Sequence, residues 1–168
     1  AIYENNYPKL KDLENMQAMN NDGSGFAWID NGKIHYKKGI NLKAHEIFSY
    51  IKENKIQLPI IIHFRIKSSG ILSDSLTHPF EISNNPSNDL EKICDKVLFH
   101  NGTVYKWNEY ILDTCIKSGL KIPDGDLSDS KGIAFLCSVY GDNFLTVLND
   151  SSKFVIFSPD KIKKFGNW

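Results

Sequence analysis

The stretch Leu58-Pro59-Ile60-Ile61-Ile62-His63-Phe64-Arg65-Ile66-Lys67-Ser68-Ser69-Gly70 decides how the chain is read. Residues 58–66 are rich in Ile and Phe, are bounded by Pro59 and stop at the Ser68-Ser69-Gly70 breaker, which predicts a buried central strand. Inside that apolar run stands Arg65. A guanidinium cannot shed its charge and is almost never buried without an anionic partner, and no adjacent residue supplies one. Two partners fit: a distant Asp or Glu in a structural salt bridge, or a ligand carboxylate.

Toward the N-terminus, Ala1 to Tyr3 reads as a short strand. Pro8 suits a first helical turn, and Leu10, Leu13, Met16 and Met19 or Ala18 recur at helical spacing, giving a helix of about ten residues. After the turn cluster at 20–25 come Phe26-Ala27-Trp28-Ile29, then Asn31-Gly32, then Lys33-Ile34-His35-Tyr36, a strong hairpin signal. Residues 42–54 carry Ala44, Ile47, Phe48 and Ile51 on one helical face.

Toward the C-terminus, 71–88 is loop-like and 92–99 is a strand ending in His100-Asn101-Gly102. Residues 107–118 form a helix with Tyr110, Ile111, Leu112 and Cys115 inward and Gly119 as C-cap. A polar loop at 124–128 leads to a helix over 129–140 with Ile133, Leu136, Cys137 and Tyr140 on its apolar side. Strands at 143–148 and 153–157 close the chain. No repeat or linker interrupts this order, so a single domain over 1–168 is expected. Its class is α+β, with two mostly antiparallel sheets covered by helices. A doubly wound nucleotide fold lacks both the alternation and the glycine-rich first turn it needs.

Twenty Lys+Arg balance twenty Asp+Glu. No net field exists to draw in nucleic acid or anionic lipid. The longest apolar run, 58–62, is far short of the ~20 residues of a membrane span. Cys94, Cys115 and Cys137 are an odd number without CxxC spacing, which argues against disulfides and fits a reducing cytoplasm. The histidines show no pair at helical ligand spacing, so no metal and no cofactor is expected. The chain opens with Ala1-Ile2-Tyr3, without Met and without a signal pattern, as a processed, trimmed or truncated chain would.

Four polar clusters lie at predicted strand ends, and each has two readings. Asp22-Gly23-Ser24-Gly25 is a flexible turn, or a loop shaped like a phosphate loop without its lysine. Asn101-Gly102 is a hairpin turn, or an oxyanion hole made by an amide side chain and a backbone N–H. Ser128-Asp129 is a helix start, or holds a substrate ammonium group. The fourth cluster is 63–70, with Arg65.

In order, these clusters resemble the recurring blocks of the class II glutamine amidotransferases, which are N-terminal-nucleophile hydrolases. His63-Phe64-Arg65-Ile66-Lys67-Ser68-Ser69-Gly70 resembles the family's His-x-Arg-x-x-Thr/Ser-x-Gly, Thr77-His78-Pro79-Phe80 its Gln/His-Pro-Phe segment, Phe99-His100-Asn101-Gly102 its His-Asn-Gly, and Ser128-Asp129-Ser130 its Ser-Asp-Thr/Ser. The chain is similar to small phage and bacterial members. The resemblance implies a four-layer αββα sandwich with its first strand central, and a substrate that is glutamine or a related small amide. It assigns the substrate α-carboxylate to Arg65 with help from Ser68, the α-ammonium to Asp129, and the oxyanion to Asn101 and Gly102.

The family's nucleophile is an N-terminal cysteine, and this chain begins with Ala1. Either the cysteine precedes Ala1, or Ala1 replaces it, or the chain binds without cleaving. The last is the rival reading, a noncatalytic binding module that holds an amino-acid-like ligand or a protein partner. No ammonia-accepting domain lies within the 168 residues, so the resemblance implies that any ammonia acceptor is a separate protein, or that there is none.

Overall fold

At Asn31-Gly32 the chain reverses with both residues at positive φ, 49° and 71°, as a type I′ hairpin turn requires. Its arms are β2 (Ser24–Asp30) and β3 (Lys33–Gly39), paired from Asp30↔Lys33 to Ser24↔Gly39. The computed structural model describes residues 1–66, 72–148 and 152–168 and divides into two compact units, Ala1–Pro79 with Asp89–Cys94, and Phe80–Asn88 with Asp95–Trp168.

In the first unit, β1 (Ile2–Tyr3), β4 (Ile60–Phe64) and β6 (Glu91–Cys94) join the hairpin in a sheet of order β1-β4-β2-β3-β6, antiparallel throughout. β4 is an interior strand as its sequence predicts. β1 is not central: β4 pairs with it on one side and with β2 on the other, so β1 forms the sheet's edge, and the polar Glu4-Asn5-Asn6 follows it directly.

One face of this sheet is covered by α1 (Leu10–Met19) and α2 (Ala44–Glu53). Alternate residues Ile60, Ile62 and Phe64 of β4 and Phe26 of β2 pack with Leu13, Ala44, Ile47 and Ile51 of the helices. Gln17 of α1 accepts the free Ala44 N–H at 2.6 Å, satisfying one orphan donor of α2. Pro8 lies just before α1 rather than in its first turn, and Met19 and Ala18 are exposed, so the buried stripe of α1 is carried by Leu13 with Met16 beside it. The loop expected at 71–88 holds a 3-10 turn, Asp74–Leu76, and then His78-Pro79 crossing β2. The crossing is so close that a Cβ at Gly25 would lie 2.0 Å from the His78 carbonyl oxygen. Only glycine fits there.

In the second unit, β5 (Phe80–Glu81), β7 (Val97–Asn101), β8 (Lys153–Ser158) and β9 (Lys161–Phe165) form an antiparallel sheet in that order. The single strand expected at 92–99 is two strands, β6 and β7, in different sheets and broken at Asp95-Lys96. Helices α3 (Trp107–Ser118) and α4 (Asp129–Tyr140) have the expected bounds. Thr114 is buried on α3, whereas Tyr110 and Leu112 are exposed, because α3 turns only the Ile111-Thr114-Cys115 stripe inward; on α4 the buried run ends at Cys137, and Tyr140 in the last turn is exposed. The strand expected at 143–148 is a 3-10 helix, Asp142–Val147. The Asp142 carboxylate is held there by Lys96 at 2.7 Å and Lys163 at 2.5 Å, contacts a regular strand register was not needed to make. The chain is thus a mixed α/β fold with two antiparallel sheets.

Candidate functional site

Arg65 follows β4 directly and prolongs its pairing with β2. Its N–H donates to the Gly23 carbonyl at 2.8 Å, and its carbonyl accepts from Asp22 N–H at 2.9 Å. Asp22-Gly23 is therefore a continuation of the ladder, and the phosphate-loop reading of 22–25 falls away. Arg65 is half-buried and shares its sheet face with Ile61 and His63, opposite to Ile60, Ile62 and Phe64. His63 packs against His78 with ring centroids 4.1 Å apart and planes tilted by 37°, a pairing that fifteen residues of separation hide from a sequence reading. Ser68 lies outside the described residues.

Ala1 is tied to the same strand. Its ammonium donates to the Ile62 carbonyl at 2.6 Å, and its carbonyl accepts from Ile62 N–H at 2.9 Å. Although the residue is exposed overall, desolvation of this amine lowers its pKa from 8.0 to about 6.

In the second unit, Asn101 ends β7 opposite Lys153, exposed, and its side-chain amide makes no hydrogen bond among the described residues. Gly102 follows at φ +133°, where a Cβ would fall 2.5 Å from Ser152 Oγ and 2.8 Å from Ser152 Cα. The hairpin reading of Asn101-Gly102 is thereby corrected: β7 pairs with β5 and β8, and residues 103–106 lead into α3.

Asp129 is the first residue of α4. The preceding Ser128 is the N-cap, its hydroxyl accepting from Lys131 N–H at 3.3 Å, so the helix-start reading of this pair holds. Asp129 does more. Its Oδ2 accepts from Val104 N–H at 3.0 Å, its Oδ1 from Ser130 N–H at 2.7 Å, and His100 Nδ1 stands 3.8 Å from Oδ2. The carboxylate is therefore held against the segment that carries Asn101 and Gly102. Three of the expected residues, Asn101, Gly102 and Asp129, lie in this unit, the last against Val104 and His100; Ala1 and Arg65 lie on one strand pair in the other.

Sequence reasoning quoted His100 and Ser130 within their motifs without giving them a role, and passed over Ser152 and Lys131. His100 is 3% exposed within an apolar strand, a polar group at a core position. Lys131 is wholly buried, its ammonium donating to Asn88 Oδ1 at 2.6 Å and to the carbonyls of Asp124 and Asp126 at 2.7 and 3.2 Å. It fixes the loop that leads into α4. The cysteines are all buried, and burial pushes the Cys137 thiol up to about 12, far from the thiolate a nucleophile needs. Among the described residues no group of three His, Cys, Asp or Glu could hold a metal ion. No helix there is long and apolar enough to cross a membrane.

No protein-family model matches the chain, and no curated protein does. Solved structures do match, among them the glutamine phosphoribosylpyrophosphate amidotransferase from B. subtilis complexed with ADP and GMP. The likeness has a TM-score of 0.58 at 20% identity and covers 94% of this chain and 34% of that one, so the chain spans about a third of that structure's length. At that identity the likeness shows the fold that this chain shares with part of an amidotransferase.

Proposed function

We propose that the chain is a class II glutamine amidotransferase-type amidohydrolase domain, acting on the γ-amide of glutamine or a related small amide. The observation that carries the reading is the Asp129 carboxylate at the start of α4, which accepts from Val104 N–H and lies beside His100 on the segment that carries Asn101 and Gly102, in a fold shared with part of an amidotransferase. With it go the four-layer αββα sandwich, a single functional domain, and Arg65 and Ser68 as the carboxylate grip.

In this chemistry a cysteine thiolate attacks the γ-carbonyl carbon, forming a C–S bond and a tetrahedral oxyanion. The Asn101 amide and the Gly102 N–H donate to that oxygen, where each donor contributes about 3 kcal/mol. The α-amine that took the thiol proton returns it to the leaving nitrogen, the C–N bond breaks, and ammonia departs toward a separate acceptor protein. Water then cleaves the thioester to give glutamate.

The strand register supports one position for the nucleophile. Ala1 lies opposite Ile62, so its side chain shares the face covered by α1 and α2. A residue immediately before Ala1 would stand opposite His63, on the face of Arg65. The test compares two forms, one with Cys added before Ala1 and one with Ala1→Cys, for release of glutamate and ammonia from glutamine. Activity in the first alone is expected. Inactivity of both, with glutamine still bound, would favour the noncatalytic binding module.

A further inference from the structure

The His100 ring lies flat against Phe154, centroids 4.5 Å apart and planes at 13°, and both of its nitrogens are engaged. Nδ1 is 2.9 Å from Ser130 Oγ, and Nε2 is 3.0 Å from Ser152 Oγ. Ser130 Oγ is in turn 3.3 Å from Asp129 Oδ1. Each hydroxyl has one proton to give, and an ionised carboxylate can only accept. The carboxylate therefore sets the direction. The Ser130 proton turns to Asp129, the Ser130 oxygen accepts from His100 Nδ1–H, and the bare Nε2 accepts from the Ser152 hydroxyl. The Asp129 charge, 3.8 Å from Nδ1, favours the same tautomer.

We propose that His100 is a positioning residue, held as the Nδ1–H tautomer in a one-way hydrogen-bond chain from Ser152 through His100 and Ser130 to Asp129, which fixes the Asn101–Gly102 donors. The inference rests on the amidohydrolase reading for its effect on rate, but not for the chain itself. His100 immediately precedes Asn101, and its Nε2 anchors Ser152, the residue packed against the Gly102 backbone. Asp129 has its own holds in Val104 N–H and Ser130 N–H. Loss of the imidazole therefore loosens the oxyanion donors and leaves the ammonium contact in place.

The first test uses the chain as it stands, labelled with nitrogen-labelled histidine. Long-range proton–nitrogen spectra distinguish the tautomers, and Ser130→Ala identifies the His100 signals by its effect at Nδ1. A proton on Nδ1 and a bare Nε2 are expected; a proton on Nε2 overturns the proposal. In the form bearing Cys before Ala1, His100→Ala is expected to lower kcat at least ~10-fold while KM for glutamine changes less than ~2-fold. His100→Gln, whose amide oxygen can accept from the Ser152 hydroxyl where Nε2 stood, should recover most of that loss, and equal loss in the two variants overturns the positioning role. A Cys form that hydrolyses nothing would defeat the amidohydrolase reading, while the tautomer still decides this one.

Discussion

Ala1 and Ile62 exchange both of their backbone hydrogen bonds, which seats the Ala1 amine at the edge of a sheet rather than in bulk water. Desolvation there lowers the amine's pKa from 8.0 to about 6, and stability must follow. Above pH 8 the amine is neutral in the folded and unfolded chain, so no penalty arises. As pH falls through 8 to 6 the unfolded chain takes up the proton first, and stability is lost; below 6 the curve levels. Because Ala1 is exposed overall, solvent screening reduces the loss to about 1 kcal/mol. Urea midpoints from pH 5 to 9, with the amine's own titration followed by NMR, check this. A flat profile with the amine titrating near 8 refutes it.

Gly102→Ala and Gly32→Ala form a controlled pair. Both glycines have positive φ, +133° and +71°, but a Cβ at Gly32 meets nothing within 4 Å. Gly32→Ala should cost about 1 kcal/mol, the strain of the left-handed conformation alone. Gly102→Ala adds the collision with Ser152 and should cost about 3 kcal/mol. Denaturation curves of the two variants give the difference directly.

Lys131→Met keeps the apolar stem and removes the ammonium that Asn88 Oδ1 and the Asp124 and Asp126 carbonyls share. Three acceptors, on residues that are themselves exposed, then lose the donor that ties them to the buried Lys131 side chain. A cost of about 3 kcal/mol is expected, with hydrogen exchange rising first at residues 124–130 and at Asn88. Unchanged stability would show that water replaces the ammonium freely.

What the sequence revealed was local. The Asn31-Gly32 turn and the bounds of α3 and α4 follow from turn chemistry, capping and helical spacing, which act over a few residues. The break at Asp95-Lys96 was hidden, since Glu91–Cys94 and Val97–Asn101 are both β-prone and only tertiary pairing sends them to different sheets. β9 escaped notice because Lys161, Lys163 and Lys164 make it polar; as the last strand of its sheet it carries lysines that discourage further pairing. At the site, Asn101, Gly102 and Asp129 could be singled out because glycine and paired polar residues mark strand and helix ends. Their setting could not. Ser152 and Val104 reach Gly102 and Asp129 through folding alone, and no spacing announces it.

Asp129 provides the sharpest division between a structural and a binding role. Its carboxylate already accepts from Val104 N–H and Ser130 N–H, so part of any loss on mutation is structural. Asp129→Asn keeps one acceptor oxygen and loses the charge, and should destabilise the fold by about 1–2 kcal/mol. If the charge holds a substrate ammonium, the variant should also bind glutamine at least ~10-fold more weakly, the scale of a lost charge-assisted hydrogen bond. Glutaramate, which has the γ-amide and the carboxylate but no ammonium, supplies the control. Its affinity should be lower than that of glutamine in the parent chain and nearly the same in Asp129→Asn. Calorimetric titration of both ligands into both proteins reads the coupling as a double difference, in which the structural cost cancels. Equal losses for the two ligands would confine Asp129 to capping α4.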